Sequence, residues 1–307
     1  MAEPIERYRS FSGYLRERYG GRVWKIPVDA GLSCPNRDGT ISRGGCIYCR
    51  LESFSRMQSR LDIGLTEQIE AGIRNAQTRQ GADKFIIYFQ SSSNTHAPVE
   101  HLRALYERAF SFPGVVGLDI ATRPDLLGEE VLALLAGMAE RTDLWIELGL
   151  QSSHDQTLRA INRGHTYGDY LTAIASLRAL PLRICTHLIL GLPGEDAAMM
   201  LATADAIAAS SVHEIKLHPL LILTDTVLAE WHRQGQVREL APAEYAALAA
   251  DFIERMPEEM VMQRLTAEAP AEMLIAPRWV LAKHKVRRAI EEELVRRDSW
   301  QGKCRRL

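Results

Sequence analysis

The chain has no run of about 18 apolar residues, so no membrane-spanning helix is expected. Net charge is close to nil: 37 Lys and Arg stand against 39 Asp and Glu, a formal balance of −2. Any attraction to nucleic acid or anionic lipid must therefore come from a local patch. Cysteine is scarce and odd in number, five in 307 residues, which does not make a disulfide-dense secreted scaffold. The first twenty residues carry charges throughout and hold no apolar h-region, so no signal peptide is expected and the location reads as cytoplasmic. There is no internal repeat and no low-complexity linker. With 46% hydrophobic and 25% charged residues, the composition is that of a folded protein, not of a disordered tail or a collagen-like repeat.

What recurs is an alternation of short β-branched runs with longer Ala- and Leu-rich amphipathic stretches. The runs are 25–28, 85–89, 115–120, 144–150, 183–190 and 214–217. Between them lie helix-like segments at 66–80, 99–109, 128–140, 155–162, 169–179 and 196–209. Such alternation predicts an α/β fold with a parallel sheet and right-handed crossovers. Six βα units are too few for an eight-stranded barrel, so the expectation is a partial (β/α)6 TIM-like barrel. From about 222 onward the sequence turns helical and richer in Glu and Arg, without β runs. The expected organisation is a core at 1–221 and a C-terminal helical extension at 222–307 packed on it.

Chemistry in parallel βα architectures gathers at the C-terminal ends of the strands. Polar residues on or after the predicted runs are Gln90, Asp119, Arg123, Glu147, Gln151, His187 and His218. Any one of them could be a helix cap or a turn former. Their recurrence on strand after strand points to a lined cavity.

Three of the five cysteines fall in the loop after the first run: Cys34, Cys46 and Cys49, spaced C-x11-C-x2-C. Gly39, Gly44 and Gly45 supply turns inside the long spacer, so the loop can wrap around a bound object. A C-x2-C pair chelates either zinc or an iron–sulfur cluster. Structural zinc wants four ligands, and the fourth would have to be a distant histidine such as His96. Three thiolates on a four-iron cluster would leave one iron open to a small molecule. Chance core cysteines do not suit so polar a loop.

The cysteine loop, with Tyr48 before its last cysteine, resembles the radical S-adenosylmethionine (SAM) superfamily, and the resemblance runs over about 20–220. The superfamily's usual first gap is three residues, not eleven. The segments Gly-Leu-Ser-Cys-Pro-Asn-Arg-Asp-Gly (31–39) and Arg-Gly-Gly-Cys (43–46) resemble the YhcC- and YtqA-type subfamily, which groups with the Elp3-like class. The segment 88–95 sits where the superfamily has a Gly-Gly-Glu-like stretch, with Gln90 in place of the acid. Segments 147–152 and 158–165 are similar to the fourth-strand region of the Elp3 and oxygen-independent coproporphyrinogen oxidase families. The turn Gly-Leu-Pro-Gly at 191–194 resembles the motif beside the adenine.

The resemblance implies a [4Fe–4S] cluster held by Cys34, Cys46 and Cys49, with SAM on the open iron and a 5′-deoxyadenosyl radical as the reactive product. It implies SAM contacts from Gln90, Asp119, Glu147, Gln151, Arg163 and His187, Arg163 facing the methionine carboxylate. Asp119 and His187 stand at SAM-contacting positions that carry other residues in the porphyrinogen enzymes. Tyr48 would shield the cluster. Cys185, on the same strand face as His187, is a candidate for quenching a substrate radical, against the alternative of a small buried hydrophobe; Cys304 reads as a tail thiol. With only two further cysteines, a second cluster is not expected.

For partners, the resemblance implies a reducing protein such as flavodoxin or ferredoxin. The Elp3-like class implies RNA modification, at the side chain of a tRNA wobble uridine. The stretch 283–307 has nine Lys and Arg against four acids, either a phosphate-backbone footprint or a solvated helix end. Its basic residues include Arg287, Arg288, Arg296, Arg297 and Arg306. Two other readings stay open here: a radical SAM enzyme acting on a small metabolite or cofactor precursor, and a zinc-stabilised RNA-binding protein without catalysis.

Overall fold

The computed structural model describes residues 6–50, 53 and 63–305. Strands are numbered in chain order. Seven form one all-parallel sheet: β1 (Val23–Val28), β2 (Lys84–Phe89), β3 (Val115–Thr122), β4 (Asp143–Gln151), β5 (Arg183–Leu190), β6 (Glu214–Pro219) and β8 (Val261–Arg264). They lie side by side in that order, with β1 and β8 at the two edges, so the barrel is partial and open on one side. Helices such as Leu65–Gln80, Val99–Phe110, Glu129–Ala139 and Ala197–Ala209 make the crossovers. All six predicted runs are strands of this sheet.

The alternation of side chains along each strand builds both faces. On β4, Leu144, Ile146, Leu148 and Leu150 belong to the large core cluster that also contains the crossover helices' Leu102, Leu134 and Ile174. Trp145, Glu147 and Gly149 occupy the opposite face, inside the barrel. At the strands' N-terminal ends the interior is filled by apolar packing of Ile86, Trp145 and Val261 with Tyr14 and Leu15. These last two come from the helix Phe11–Tyr19, whose N-cap Ser10 accepts from Gly13 N at 3.2 Å and whose C-cap is Gly20. Ser10 also bridges to Met262 of β8.

The C-terminal segment departs from expectation. It is not free of strands: β8 pairs with β6 and completes the sheet, and β7 (Ile222–Leu223) with β9 (Leu274–Ala276) forms a separate antiparallel ribbon. Val-Met-Gln-Arg is four residues with a single β-branched side chain, so it carries little intrinsic strand signal. The exposed edge of β6 offers backbone donors and acceptors that such a segment satisfies regardless of propensity. The helices Pro242–Arg255 and Lys283–Arg296 follow the expected helical character. Among the described residues, no helix is long and apolar enough to cross a membrane.

Candidate active site

The cysteine loop opens with Cys34, the N-cap of a four-residue helix, Pro35–Asp38, with proline at its first turn. Arg37 N and Asp38 N donate to the Cys34 carbonyl at 2.7 and 3.0 Å. The loop then folds back on itself: Gly45 N donates to the Asn36 carbonyl at 2.8 Å and Cys49 N to the Cys46 carbonyl at 2.9 Å. Gly45 has φ 80°, and a Cβ there would stand 2.9 Å from Arg37 Nε, so the position requires glycine.

A second segment, following β4, clamps the loop. Ile47 N donates to the Ile161 carbonyl at 3.1 Å. Asn162 Nδ2 donates to the Gly45 carbonyl at 2.7 Å, and Asn36 Nδ2 donates to the carbonyls of Asn162 and Arg163 at 2.7 and 3.0 Å. Arg163 then reaches inward, with Nη1 3.6 Å from Cys46 Sγ and Nε and Nη2 on the Gly149 carbonyl at 3.1 and 2.6 Å. A Cβ on Gly149 would lie 2.6 Å from Arg163 Nη2, so the guanidinium fits only over glycine. Arg123, itself buried and paired with Asp125 at 2.8 Å, donates to the Arg163 carbonyl at 2.8 Å.

Cys34, Cys46 and Cys49 line one cavity of about 210 Å³, together with Tyr48, Gln90, Glu147, Gln151, Arg163 and His187. Burial and the neighbouring Cys46 push the Cys49 thiol up to about 11. Asn36 Nδ2 lies 3.6 Å from Cys46 Sγ, so this sulfur faces both an amide donor and a guanidinium, which stabilise a thiolate. One tetrahedral zinc would draw three sulfurs to roughly 3.8 Å of one another, given its ~2.3 Å bonds. Among the described residues, the three loop sulfurs do not form such a tight group. Three sulfurs on one cavity, with an amide and a guanidinium directed at one of them, fit a cluster site. Tyr48 sits against this centre, its phenol raised well above the ordinary value by burial and by Cys46. Gln151 is held at φ 80° at the end of β4, a conformation uncommon for a residue with a side chain.

Deeper in the barrel lies a layer of charge. Glu147 is fully buried and receives Lys25 Nζ at 2.8 Å, Lys216 Nζ at 2.5 Å and His187 Nε2 at 2.7 Å. Lys25 also pairs with Asp119, and Lys216 donates to the Tyr88 hydroxyl at 3.1 Å. Although burial opposes ionisation, Lys216 and Lys25 hold the Glu147 carboxyl well below its ordinary range. Burial, with Glu147 beside it, raises Asp119. Burial lowers His187 to about 4, against the pull of Glu147, so its imidazole is neutral at pH 7. Asp119 is fully buried and does not line the cavity. Cys185 is likewise buried and off the cavity wall, its thiol raised by burial and by Glu147. Its sulfur and the ligand atoms of Glu147 and His187 lie within 4.8 Å of one another. Two ammonium groups already occupy the Glu147 carboxylate, so the trio is part of an ion-pair network and a poor cation site.

The structure thus brings together, on one cavity, the three cysteines and Tyr48, Gln90, Glu147, Gln151, Arg163 and His187. Asn36, Asn162, Lys25, Lys216, Tyr88 and Arg264 also belong to the site, and spacing and pattern alone assign them no role. The two lysines carry a signal, being cations within strands, Val23–Val28 and Glu214–Pro219, that are flanked by apolar neighbours. In the C-terminal basic stretch, Arg287 pairs with Glu291 at 3.4 Å, Arg288 with Glu292 at 2.6 Å and Arg296 with Glu293 at 2.6 Å. Arg297 meets Asp251 at 2.6 Å and Glu293 at 2.7 Å. Arg306 lies outside the described residues.

Residues 38–207 match the family described as Radical SAM superfamily, and residues 212–296 match the Radical_SAM C-terminal domain. The uncharacterized protein YtqA of Bacillus subtilis (strain 168) is 41% identical over 97% of this chain and 92% of its own length. Protein YhcC of Escherichia coli (strain K12) is 38% identical over 88% of this chain and 86% of its own. A tRNA uridine(34) acetyltransferase of Dehalococcoides mccartyi (strain CBDB1) is 28% identical over 62% of this chain and 40% of its own. Among solved structures, Methanocaldococcus infernus Elp3 with an N-terminal deletion superposes with a TM-score of 0.70 at 18% identity, covering 88% of this chain and 63% of that one. That likeness is one of fold.

Proposed function

The chain belongs to the radical SAM superfamily, in the Elp3-like class and the subfamily of YtqA- and YhcC-type proteins, and from that membership we propose that it modifies RNA, at the side chain of a tRNA wobble uridine. Enzymes of this superfamily use a [4Fe–4S] cluster and SAM, and they need a reductant. The cluster, when bound, supplies the electron that cleaves SAM and gives the organic radical.

Cys34, Cys46 and Cys49 would hold the cluster. The observation that carries this assignment is their convergence on one cavity, with Arg163 and Asn36 directed at Cys46. Arg163 supplies positive charge to a cluster thiolate and to the methionine carboxylate of SAM. Gln90 and Gln151 offer amide groups to the amino and ribose groups of SAM, and Tyr48 keeps water from the metal. Glu147, fixed by Lys25, Lys216 and His187, holds the polar wall of the cavity in one geometry. Asp119 acts through Lys25 on that wall. Burial fits Cys185 to a packing role. A core at 1–221 whose sheet the extension at 222–307 completes with β8, a cytoplasmic location, and flavodoxin or ferredoxin as reductant complete the reading.

The RNA assignment draws on the likeness to a tRNA uridine(34) acetyltransferase. The basic C-terminal helix lends it little, because its arginines are paired with carboxylates. The test compares modified nucleosides in tRNA from cells with and without the gene. A wobble-uridine derivative that disappears or accumulates supports the proposal. Identical profiles would redirect it to the second reading, a small metabolite or cofactor precursor, which the modest size of the cysteine cavity also accommodates.

A further inference from the structure

The two edge strands, β1 and β8, do not pair with each other, and the seam between them is the lateral mouth of the barrel. A groove of about 940 Å³ runs along it. Arg16, Arg22, Lys25, Arg264, Lys283 and Arg287 line it, and among the described residues no Asp or Glu does. A second space, of about 950 Å³, shares Trp24, Lys25, Arg264 and Lys283 with the groove and Tyr88, Gln90, Arg264 and Glu268, the last paired with Lys283, with the cysteine cavity. Arg264 is common to all three spaces.

Most cations of the groove are already engaged. Lys25 meets Asp119 and Glu147, Lys283 meets Glu268, Arg287 meets Glu291 and Arg22 donates to the Gln80 carbonyl. Among the described residues, Arg264 has no ion pair and no side-chain hydrogen bond. It is half-buried, where an unpartnered guanidinium is unfavourable until an anion reaches it. Its direction comes from an irregularity in the β6–β8 pairing: Ile215 faces Met262, but Lys216 faces Arg264. The bulge turns two successive residues into the barrel. Gln263 is used there, accepting from Lys25 at 3.0 Å and donating to Glu214 at 2.7 Å. Arg264 is left to the cavity. On the neighbouring strand, His218 lines the same cavity with its Nε2 buried and without a partner.

We propose that Arg264, with His218 beside it, grips a backbone phosphate of the polynucleotide substrate where the seam groove enters the cysteine cavity. The backbone then lies along the groove, and one nucleoside extends past Tyr88 and Gln90 toward the cluster. Arginine suits the task because its planar fork takes a phosphate through two donors. The exposed indole of Trp24, on the groove wall, offers a face on which a base can stack. This assignment rests on the RNA reading above and goes further, naming the entry path and the anchoring residue.

The test measures binding of a tRNA transcript to the anaerobically reconstituted holoprotein across a salt series, for wild type, Arg264→Ala, Arg264→Lys and His218→Ala. Arg264→Ala is expected to bind about tenfold more weakly, with the slope of log affinity against log salt reduced by about one. Arg264→Lys should restore the slope, because it restores the charge, but only part of the affinity. His218→Ala should lose affinity with the slope unchanged. If Arg264→Ala does not accumulate as folded protein, Arg264→Gln carries the same expectation. An unaltered affinity and slope in the alanine or glutamine variant, with wild type binding tRNA, overturns the anchor and leaves the RNA reading standing. A wild-type holoprotein that retains no tRNA at any salt overturns both.

Discussion

The guanidinium of Arg163 joins two parts of the site: Nη1 lies 3.6 Å from Cys46 Sγ, while Nε and Nη2 both donate to the Gly149 carbonyl. One buried side chain thereby fixes the cysteine loop against the end of β4. Arg163→Ala takes two donors from the Gly149 carbonyl, which keeps the His165 Nε2 contact at 3.1 Å, and removes the charge facing the sulfur. Losing hydrogen bonds from a charged, buried donor costs about 1–3 kcal/mol, and the cluster should be retained less well. Arg163→Lys should recover little, since an ammonium lacks the fork. Urea unfolding and iron per chain, measured side by side, check both parts. Unchanged values for each would remove Arg163 from the cluster's surroundings.

The loop cysteines and the other two should separate cleanly. Replacing Cys34, Cys46 or Cys49 by alanine should each abolish the visible absorbance of the anaerobic cluster and the cleavage of SAM. Cys185→Ala and Cys304→Ala should keep iron and sulfide at the wild-type ratio, because Cys185 is off the cavity wall and Cys304 is exposed. A colourless Cys185→Ala protein that is otherwise folded would contradict the assignment.

These outcomes depend on features of unequal visibility in the chain. Strong β-branched runs such as Arg-Ile-Cys-Thr-His-Leu-Ile-Leu announce β5 to the residue, because both of its faces are buried and the sequence has no room for ambiguity. The cysteine spacing and the turn glycines likewise place the loop. What stayed hidden was set by tertiary pairing. Val261–Arg264 becomes a strand only because β6 has an edge to satisfy, and Arg264 points inward only because the register slips by one. Asn36 and Asn162 lie within quoted motifs, but their work is to bond carbonyls far along the chain, and spacing says nothing of that. The sequence places Asp119 and Glu147 alike toward a ligand. Glu147 lines the cavity, whereas Asp119 lies buried behind its wall, paired with the half-buried Lys25.

The charged layer makes Glu147 a costly deletion, since two ammonium groups and an imidazole meet its carboxylate. Glu147→Gln keeps the shape and removes the charge that balances the half-buried Lys25 and the buried Lys216, leaving the Lys216 ammonium short of a counter-ion. Breaking such a pair typically costs about 3–5 kcal/mol. A second change, Lys216→Met, removes that stranded charge and should return part of that loss. Coupling of this kind is expected for residues in contact and is read from a double-mutant cycle of urea midpoints. Strictly additive losses would mean that the two side chains do not interact in solution.

The buried imidazoles give the fold a defined acid limit. Burial lowers His187 and His165 to about 4 each, below the ordinary 6.5. Between these values the unfolded chain binds protons that the folded chain does not, so stability falls as pH falls. The contribution is fully present above pH 6.5. It is lost progressively on acidification toward 4, to a ceiling of about 3 kcal/mol per group. His187→Gln and His165→Gln cannot take up that proton, so each variant should show a shallower decline in urea midpoint across this window than wild type. At pH 7 His187→Gln should instead be the less stable, having exchanged the imidazole contact with Glu147 for a shorter amide. Curves that run parallel to wild type through the window would assign the acid sensitivity to other groups.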